Sequence, residues 1–467
     1  MLGNANVIAR PKPLSKAFIR RLQSIVGASR VFTKWEDLLS YSYDGTLFRA
    51  APQAVVLPSS KEAVMGCVAA AYEEGIPIVP RGAASGLSGG SVPAHGGLVI
   101  DLTSMNSVIS LDQEQRLVTV EAGYITTHLH RLAESHHLFY PPDPASSDFS
   151  TIGGNIAEGA GGPRGYKYGT TIDYVAGLEI VVAAGQQLTL RGPARGGPGG
   201  PMALMVGSEG TLGIITAATL NLIPLPEATG TLLAVFGTLQ ASGQAIEAIV
   251  SSGVVPSTLE ILDQSAILCV ESYQPSGLPR DAAAVLLIEV DGLPEAVNEE
   301  SEKVSHICRV AGATSVRRAA DERERAELWR ARKAVSPSTV RIKPGKIVED
   351  ATVPRSRITD MIMRTREIGK KHRLATVIYG HAGDGNLHPN FIVDPQDHLE
   401  IERAEEAIRE LFEAAWELGG TLSGEHGIGL AKRDYLQGEL GPTEMALTRA
   451  VKRALDPEGL FNPGKFA

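Results

Sequence analysis

From residue 54 onward, short apolar runs alternate with turn residues and one stretch of helical spacing. Apolar runs bounded by Gly, Pro, Asp or Asn read as strands, and apolar positions three and four apart read as the inner face of a helix. Residues 54–57, 77–79, 97–102, 117–122 and 178–183 are therefore predicted strands, and 61–74 a helix; strand character resumes over 207–215. Beyond Pro224 and Pro226 the pattern changes. Residues 232–236 and 284–290 read as strands, with helices near 242–251, 295–311 and 322–334. Between 377 and 393 two strand-like pieces flank a glycine-rich turn. In 403–418 the residues Ala407, Leu411, Ala414, Ala415 and Leu418 share one helical face. The tail from residue 456 carries two prolines and two glycines and is expected to be irregular, docked on something already folded. An α+β domain up to about Pro226, followed by a second α/β sheet domain, is the expected organisation.

Ahead of residue 54, Arg10, Lys12, Lys16, Arg20 and Arg21 all precede the first acidic residue, Glu36. That composition resembles a transit peptide. The preferred reading is an amphipathic surface helix over 15–26, introduced by Pro11 and Pro13. The glycine cluster 192–201 reads as a surface loop.

Composition narrows the class. The 467 residues include 44 Lys and Arg against 53 Asp and Glu, a formal charge of −9. A nucleic-acid binder works by neutralising phosphates with cations, so this balance argues against one. The longest apolar runs, such as 175–184, are strand-sized, and none approaches the length needed to cross a bilayer. The three cysteines, Cys67, Cys269 and Cys308, form no CxxC pair, which suits a reducing, cytoplasmic setting. An all-cysteine iron–sulfur cluster normally takes four thiolates, so this chain does not hold one alone.

Three glycine-rich segments follow predicted strands or turns: PRGAASGLSGG at 80–90, TIGGN through GAGG over 151–162, and GSEGTLG at 207–213. Backbone N–H groups in such loops can cradle an anion. The segments suit one long ligand touched by backbone, and equally a loop-rich domain. The dinucleotide spacing GxGxxG is absent. Gly459 to Lys465 matches the opening of a phosphate-binding P-loop, but Phe466 stands where Ser or Thr should hold magnesium, and no helix can follow.

The motif HAGDGNLH sets His381 and His388 across a turn permitted by Gly383 and Gly385, with Asp384 and Asn386 between them. Downstream, SGEHG adds Glu425 and His426. Two imidazoles and one carboxylate would leave a metal an open position, as catalytic sites require. Which of Glu425 and His426 faces a metal stays ambiguous, since neighbours on an extended segment point apart. Arg330, Arg332 and Lys333 end a predicted helix before Pro337. A guanidinium can grip a carboxylate bidentately, but in a run rich in arginine these residues read first as a solvated charged face.

Taken together and in order, PRGAASGLSGG, PPDPASSDFSTIGGNIAEGAGGPRGYKYG, VGSEGTLGIIT, GHAGDGNLHPN, SGEHGIG and LDPEGLFNPGK resemble the FAD-linked subunit of glycolate oxidase and its D-lactate and D-2-hydroxyglutarate dehydrogenase relatives. These belong to the vanillyl-alcohol-oxidase/PCMH flavoprotein superfamily, and the resemblance spans nearly the whole chain. It implies an N-terminal helical segment at 1–50, a PCMH-type FAD-binding domain at 51–226, a substrate and metal cap domain with a ferredoxin-like antiparallel sheet at 227–430, and a C-terminal helical segment at 431–467 that returns to the FAD domain.

The same resemblance implies that Arg81, Gly82, Ala83, Ser85, Gly86 and Leu87 cradle the FAD pyrophosphate. Pro142, Asp143, Ser146, Thr151, Gly154, Asn155, Gly159, Gly161, Gly162, Tyr168, Gly169, Glu209 and Ile214 would line the cofactor, and Asn462 would return to the flavin. His381, His388 and Glu425 correspond to the ligands of a divalent metal, zinc by its nitrogen and oxygen donors, with iron or manganese as alternatives. Asn386 stands beside them, His426 matches the base, Arg332 the carboxylate-binding arginine and Lys346 a nearby lysine. With no histidine in 81–90, the FAD is expected to be non-covalent. The insertion at 192–202 departs from the relatives.

The implied reaction oxidises a small 2-hydroxy acid, of glycolate or D-lactate type, to the 2-oxo acid by hydride transfer to flavin N5 with metal assistance. Electrons would leave to an iron–sulfur subunit, an electron-transfer flavoprotein or a quinone-linked acceptor, any membrane association coming through that partner. Rival readings are a D-2-hydroxyglutarate dehydrogenase, and a non-redox flavoprotein like the alkyl-glycerone-phosphate synthases. The oligomeric state stays open, a homodimer included.

Overall fold

A computed structural model describes residues 9–192 and 200–465, so most of the glycine-rich insertion expected at 192–202 lies outside the described residues. The chain divides into two compact units. One gathers 9–160, Thr170–Leu225 and 425–465; the other gathers Gly161–Gly169 and Pro226–Gly424.

In the first unit, strands Val31–Phe32, Ala54–Val56, Leu98–Asp101 and Ile78–Arg81 form a sheet in that order. Ala54–Val56 and Ile78–Arg81 both run parallel to Leu98–Asp101. Strands that run parallel need a crossover, and helix Lys61–Glu73 carries the chain from Ala54–Val56 to Ile78–Arg81, on either side of Leu98–Asp101. Its first turn is capped by Ser60, whose hydroxyl oxygen accepts from Ala63 N, and Val64, Cys67, Val68 and Ala71 form its buried stripe. Helix Lys16–Val26 starts on Ser15, whose hydroxyl oxygen accepts from Phe18 N, and buries Phe18 and Leu22. Five antiparallel strands make a second sheet, in the order Val108–Asp112, Leu117–Glu121, Ile214–Asn221, Val175–Val181 and Gln187–Arg191.

The strand expected over 207–215 begins only at Ile214. Gly207, Glu209, Gly210 and Gly213 all hold positive φ, which extended backbone does not allow, so 207–213 forms a turn.

In the second unit, one antiparallel sheet runs Ala313–Arg318, Ala228–Phe236, Ala284–Gly292, Thr258–Asp263, Ala375–His381, Asn386–Val393 and Gly345–Val348, with Ala351–Thr352 also paired to Asn386–Val393. Side chains alternate across a sheet, so the pairing register sorts its residues into two faces. Leu233, Val235, Leu262, Val285, Leu287, Val377, Tyr379 and Ile392 pack with helices Gln264–Tyr273 and Glu322–Lys333 in one core. Helices Leu239–Ser251, Pro294–Val310, Ile358–His372 and His398–Glu417 pack with one another and with the opposite face. Among the described residues no helix is long and apolar enough to cross a membrane.

Candidate active site

In the first unit a cleft opens between the loop after Ile78–Arg81, helix Ile152–Glu158 and the turn before Ile214–Asn221. Arg81, Gly82, Thr151, Gly154 and Glu209 line it, together with Gly153, Glu158, Ser208 and Gly210, which sequence reading did not name. Gly82 is required by space: a Cβ there would sit 2.3 Å from Thr151 Oγ1. That hydroxyl oxygen accepts from Gly154 N at 3.2 Å and caps the helix.

Other expected cofactor residues serve the frame around the cleft. The Arg81 side chain points inward, donating to Tyr43 O at 2.9 Å and Ser40 O at 3.4 Å, and Arg81 also lines the cleft. Ala83, Ser85, Gly86 and Leu87 continue the loop, and Gly86 O accepts from Gly45 N at 3.0 Å. Pro142 and Ser146 hold the turn 141–150 that also carries Asp143; Pro142 O lies 2.8 Å from His130 Nε2 and Ser146 O accepts from Ser150 N at 2.7 Å. Asn155 is buried and donates to Thr126 Oγ1 at 2.8 Å. Gly159 is the left-handed cap of its helix, and Ile214 is fully buried. Asn462 donates to Gly90 O at 2.9 Å and Glu209 O at 2.7 Å. Gly161, Gly162, Tyr168 and Gly169 belong to the other unit, where the Tyr168 hydroxyl donates to Asp291 Oδ1 at 2.9 Å.

Glu158, half-buried, and Glu209, buried, are an interacting acid pair. Burial, and then the charge of Glu209, push the Glu158 carboxyl well above the ordinary carboxylate range. Glu209 is also raised by burial, but it accepts Ile428 N–H and Gly429 N–H, each at 2.7 Å, which opposes the rise. Those two bonds fix the backbone just after His426.

The second unit holds the histidines. Strands Ala375–His381 and Asn386–Val393 form a hairpin in which His381 faces Asn386 and Tyr379 faces His388. His381, Tyr379 and His388 thus share one face, and the two imidazoles meet edge to face, ring centroids 4.9 Å apart. Asn386 Oδ1 accepts from the Thr352 hydroxyl at 3.1 Å, which turns its amide NH₂ the other way. Gly424 N donates to Asp350 Oδ2 at 2.7 Å, pinning the chain one peptide bond before Glu425. The donor atoms of His381, His388 and Glu425 all lie within 4.8 Å of one another. Two nitrogens and a carboxylate oxygen at that spacing fit a divalent cation of zinc type.

Glu260 was not legible as a site residue. It sits on Thr258–Asp263, directly opposite His381, and is fully buried. Oε1 lies 2.5 Å from His381 Nδ1, while Oε2 accepts from Arg332 Nε at 2.6 Å and meets Nη2 at 2.5 Å. Burial would raise this carboxyl, but the Arg332 guanidinium and then His381 outweigh it and hold it below the ordinary range. Arg332, expected as one cation of a solvated run, is buried and lies over the Tyr379 ring at 4.7 Å. Lys346 donates to Ser336 O at 2.9 Å and Ser336 Oγ at 2.5 Å; burial pushes it down to about 8. The one available signal for Glu260 was a lone acid inside an apolar strand, which must find a partner if buried.

Residues 52–191 match the FAD binding domain family, and 225–466 match the family of FAD linked oxidases, C-terminal domain. The chain is 45% identical over 431 residues to the glycolate oxidase subunit GlcD of Bacillus subtilis (strain 168), covering 92% of each chain. It is 34% identical to the D-lactate dehydrogenase of Anaerostipes hadrus, covering 90% of each. The fold superposes on p-cresol methylhydroxylase with substrate bound at a TM-score of 0.79, 18% identity and 98% coverage of both chains, a likeness of fold alone. Matched family models on both halves of the chain, with a glycine-lined cleft beneath the first, lead to one conclusion: the chain belongs to the FAD-linked oxidases and is an FAD-dependent oxidoreductase.

Proposed function

We propose that the protein oxidises a small 2-hydroxy acid, of glycolate or D-lactate type, to the 2-oxo acid with the help of a divalent metal. The observation that carries this reading is the grouping of His381, His388 and Glu425, backed by a buried carboxylate that also holds Arg332. The names of the curated relatives, a glycolate oxidase subunit and a D-lactate dehydrogenase, support the same substrate class.

When bound, FAD would accept hydride at N5, and a metal held by His381, His388 and Glu425 would acidify the substrate hydroxyl. Arg332 offers the Nη1 edge of its fork to the substrate carboxylate, the other edge being taken by Glu260. Lys346 adds a second cation for the same group. The Asn386 amide NH₂, oriented by Thr352, donates to a substrate oxygen. His426 takes the hydroxyl proton on an imidazole nitrogen as the Cα–H leaves as hydride, so one proton and one hydride depart together and the C–O bond becomes a carbonyl. The cleft lined by Gly82, Gly153 and Gly154 admits cofactor backbone-close, and FAD held this way is dissociable. Electrons then pass to a separate acceptor, an iron–sulfur subunit, an electron-transfer flavoprotein or a quinone-linked protein, since three cysteines do not make a cluster site.

The test is anaerobic mixing of the FAD-loaded protein with D- and L-2-hydroxy acids while flavin absorbance is followed, with metal analysis of the same sample. One small hydroxy acid should bleach the flavin. Chelator-treated protein and His426→Ala should keep FAD yet fail to bleach, and zinc should restore the former. Bleaching at parental rate after complete chelation would end the metal reading.

A further inference from the structure

We infer that Glu260 is a positioning residue which sets His381 and Arg332 with one carboxylate, holding a hydrogen on His381 Nδ1 and keeping the Arg332 fork aimed; its bearing on metal binding rests on the reading above. In an antiparallel pair, residues directly opposite put their Cβ atoms about 4.5–5.5 Å apart on one face. Glu260 and His381 are such a pair, so the reach from carboxylate to imidazole is set by strand register and not by a mobile loop. Glu260 has no exposed surface, and its two oxygens are divided between His381 Nδ1 and the Arg332 Nε–Nη2 edge.

An ionised carboxylate can only accept. His381 must therefore carry a hydrogen on Nδ1, so that any metal this imidazole holds is met through Nε2. This is the arrangement in which an outer carboxylate orients a ligating imidazole and raises its basicity. The second oxygen does a different task. Arg332 reaches the sheet from helix Glu322–Lys333, and among the described residues the Glu260 edge contact and the Tyr379 ring hold the plane of its guanidinium. Tyr379 also stands edge-on to His388, ring centroids 5.5 Å apart. One buried carboxylate thus links the group proposed to hold substrate to the group proposed to hold metal.

Glu260→Gln separates this role from simple packing. Arg332 presents only donors, so the new amide oxygen must face it, and the amide NH₂ must face His381. An NH₂ donating to Nδ1 drives the imidazole hydrogen to Nε2, the position a metal needs bare. Zinc affinity, read by competition with a chromophoric chelator, should fall about ten- to a hundred-fold, while bound FAD per chain stays at the parental value. Glu260→Asp keeps the acceptor and should recover most of the zinc affinity, which a purely structural role does not require. The tautomer is measured without any variant, from the imidazole ¹⁵N shifts of metal-free parental protein. Hydrogen on Nδ1 supports the inference; hydrogen on Nε2, or zinc affinity in Glu260→Gln within twofold of parental, overturns it. Parental protein that binds no zinc but keeps hydrogen on Nδ1 ends the metal reading and leaves the hold of Glu260 on its two partners standing.

Discussion

Lys346 is a cation held in a place that disfavours its charge. Burial lowers it from an ordinary 10.5 to about 8, and among the described residues it donates to Ser336 O and Oγ. Below about 8 both folded and unfolded chains carry the proton, and the full burial cost is present. Between about 8 and 10.5 the unfolded chain binds more protons, so this residue's contribution to stability rises with pH. Its functional effect has the opposite sign: as pH climbs through about 8, the charge offered to a substrate carboxylate is lost. The KM for the hydroxy acid should rise above that pH in the parental enzyme. Lys346→Met should raise KM below about pH 8 and remove that limb, as KM measured across the range will tell. The residue scale also shows why charge pattern alone, unlike the family resemblance, did not single out Arg332. A run containing Arg323, Arg325, Arg330, Arg332 and Lys333 reads as a wet face, and only the helix phase decides that Arg332 alone of these turns to Glu260.

At the scale of elements, the hairpin of the two histidine strands was legible because its turn is glycine-rich and its flanks are apolar. Its register is where the chemistry resides, because a slip of one residue would turn His388 to the opposite face. Gly385 secures that register. Its φ is +85°, its N–H donates to His381 O at 3.1 Å, and an added Cβ would lie 2.1 Å from Val353 O. Gly385→Ala should cost at least about 1–2 kcal/mol from the left-handed backbone alone. Urea unfolding will measure that loss, and zinc uptake should fall with it. The helices expected at 15–26, 61–74 and 322–334 were equally readable, and in the structure Ser15, Ser60 and Asp321 each accept a backbone N–H at their starts. Helices Gln264–Tyr273 and Ile358–His372 and strand Thr258–Asp263 escaped notice. The strand is buried on both faces, so it shows no alternation, and the acids Glu260 and Asp263 interrupt its apolar run.

On the scale of the whole molecule, the flavin-side unit is closed by its last residues. Phe461 bridges Ile78, with Ile78 N donating to Leu460 O at 2.8 Å and Asn462 N donating to Ile78 O at 2.7 Å. Phe461 is fully buried, Asp456 accepts from the Tyr72 hydroxyl, and Asn462 ties Gly90 to Glu209 across the cleft wall. A chain ending at Leu455 loses all of these at once. It should emerge from gel filtration without flavin, by absorbance, whereas the full chain keeps it; a truncated chain that retains FAD would show that the cleft stands without its tail. The tail was expected to be irregular and docked, and its two prolines and two glycines are the reason it could be read that way.

What the sequence by itself determined is what depends on neighbours along the chain: the glycine loops that leave room for a cofactor, the capped helices, the paired histidines and the irregular tail. Tertiary structure alone decided the rest. Glu260 lies 121 residues from His381 and 72 from Arg332, and no local spacing relates them. Only the pairing of Thr258–Asp263 with Ala375–His381, and the helix docked above, brings the carboxylate to both partners. A buried charge is tolerable only where opposite charge and donors already wait, and that condition belongs to the folded sheet, not to any segment of it.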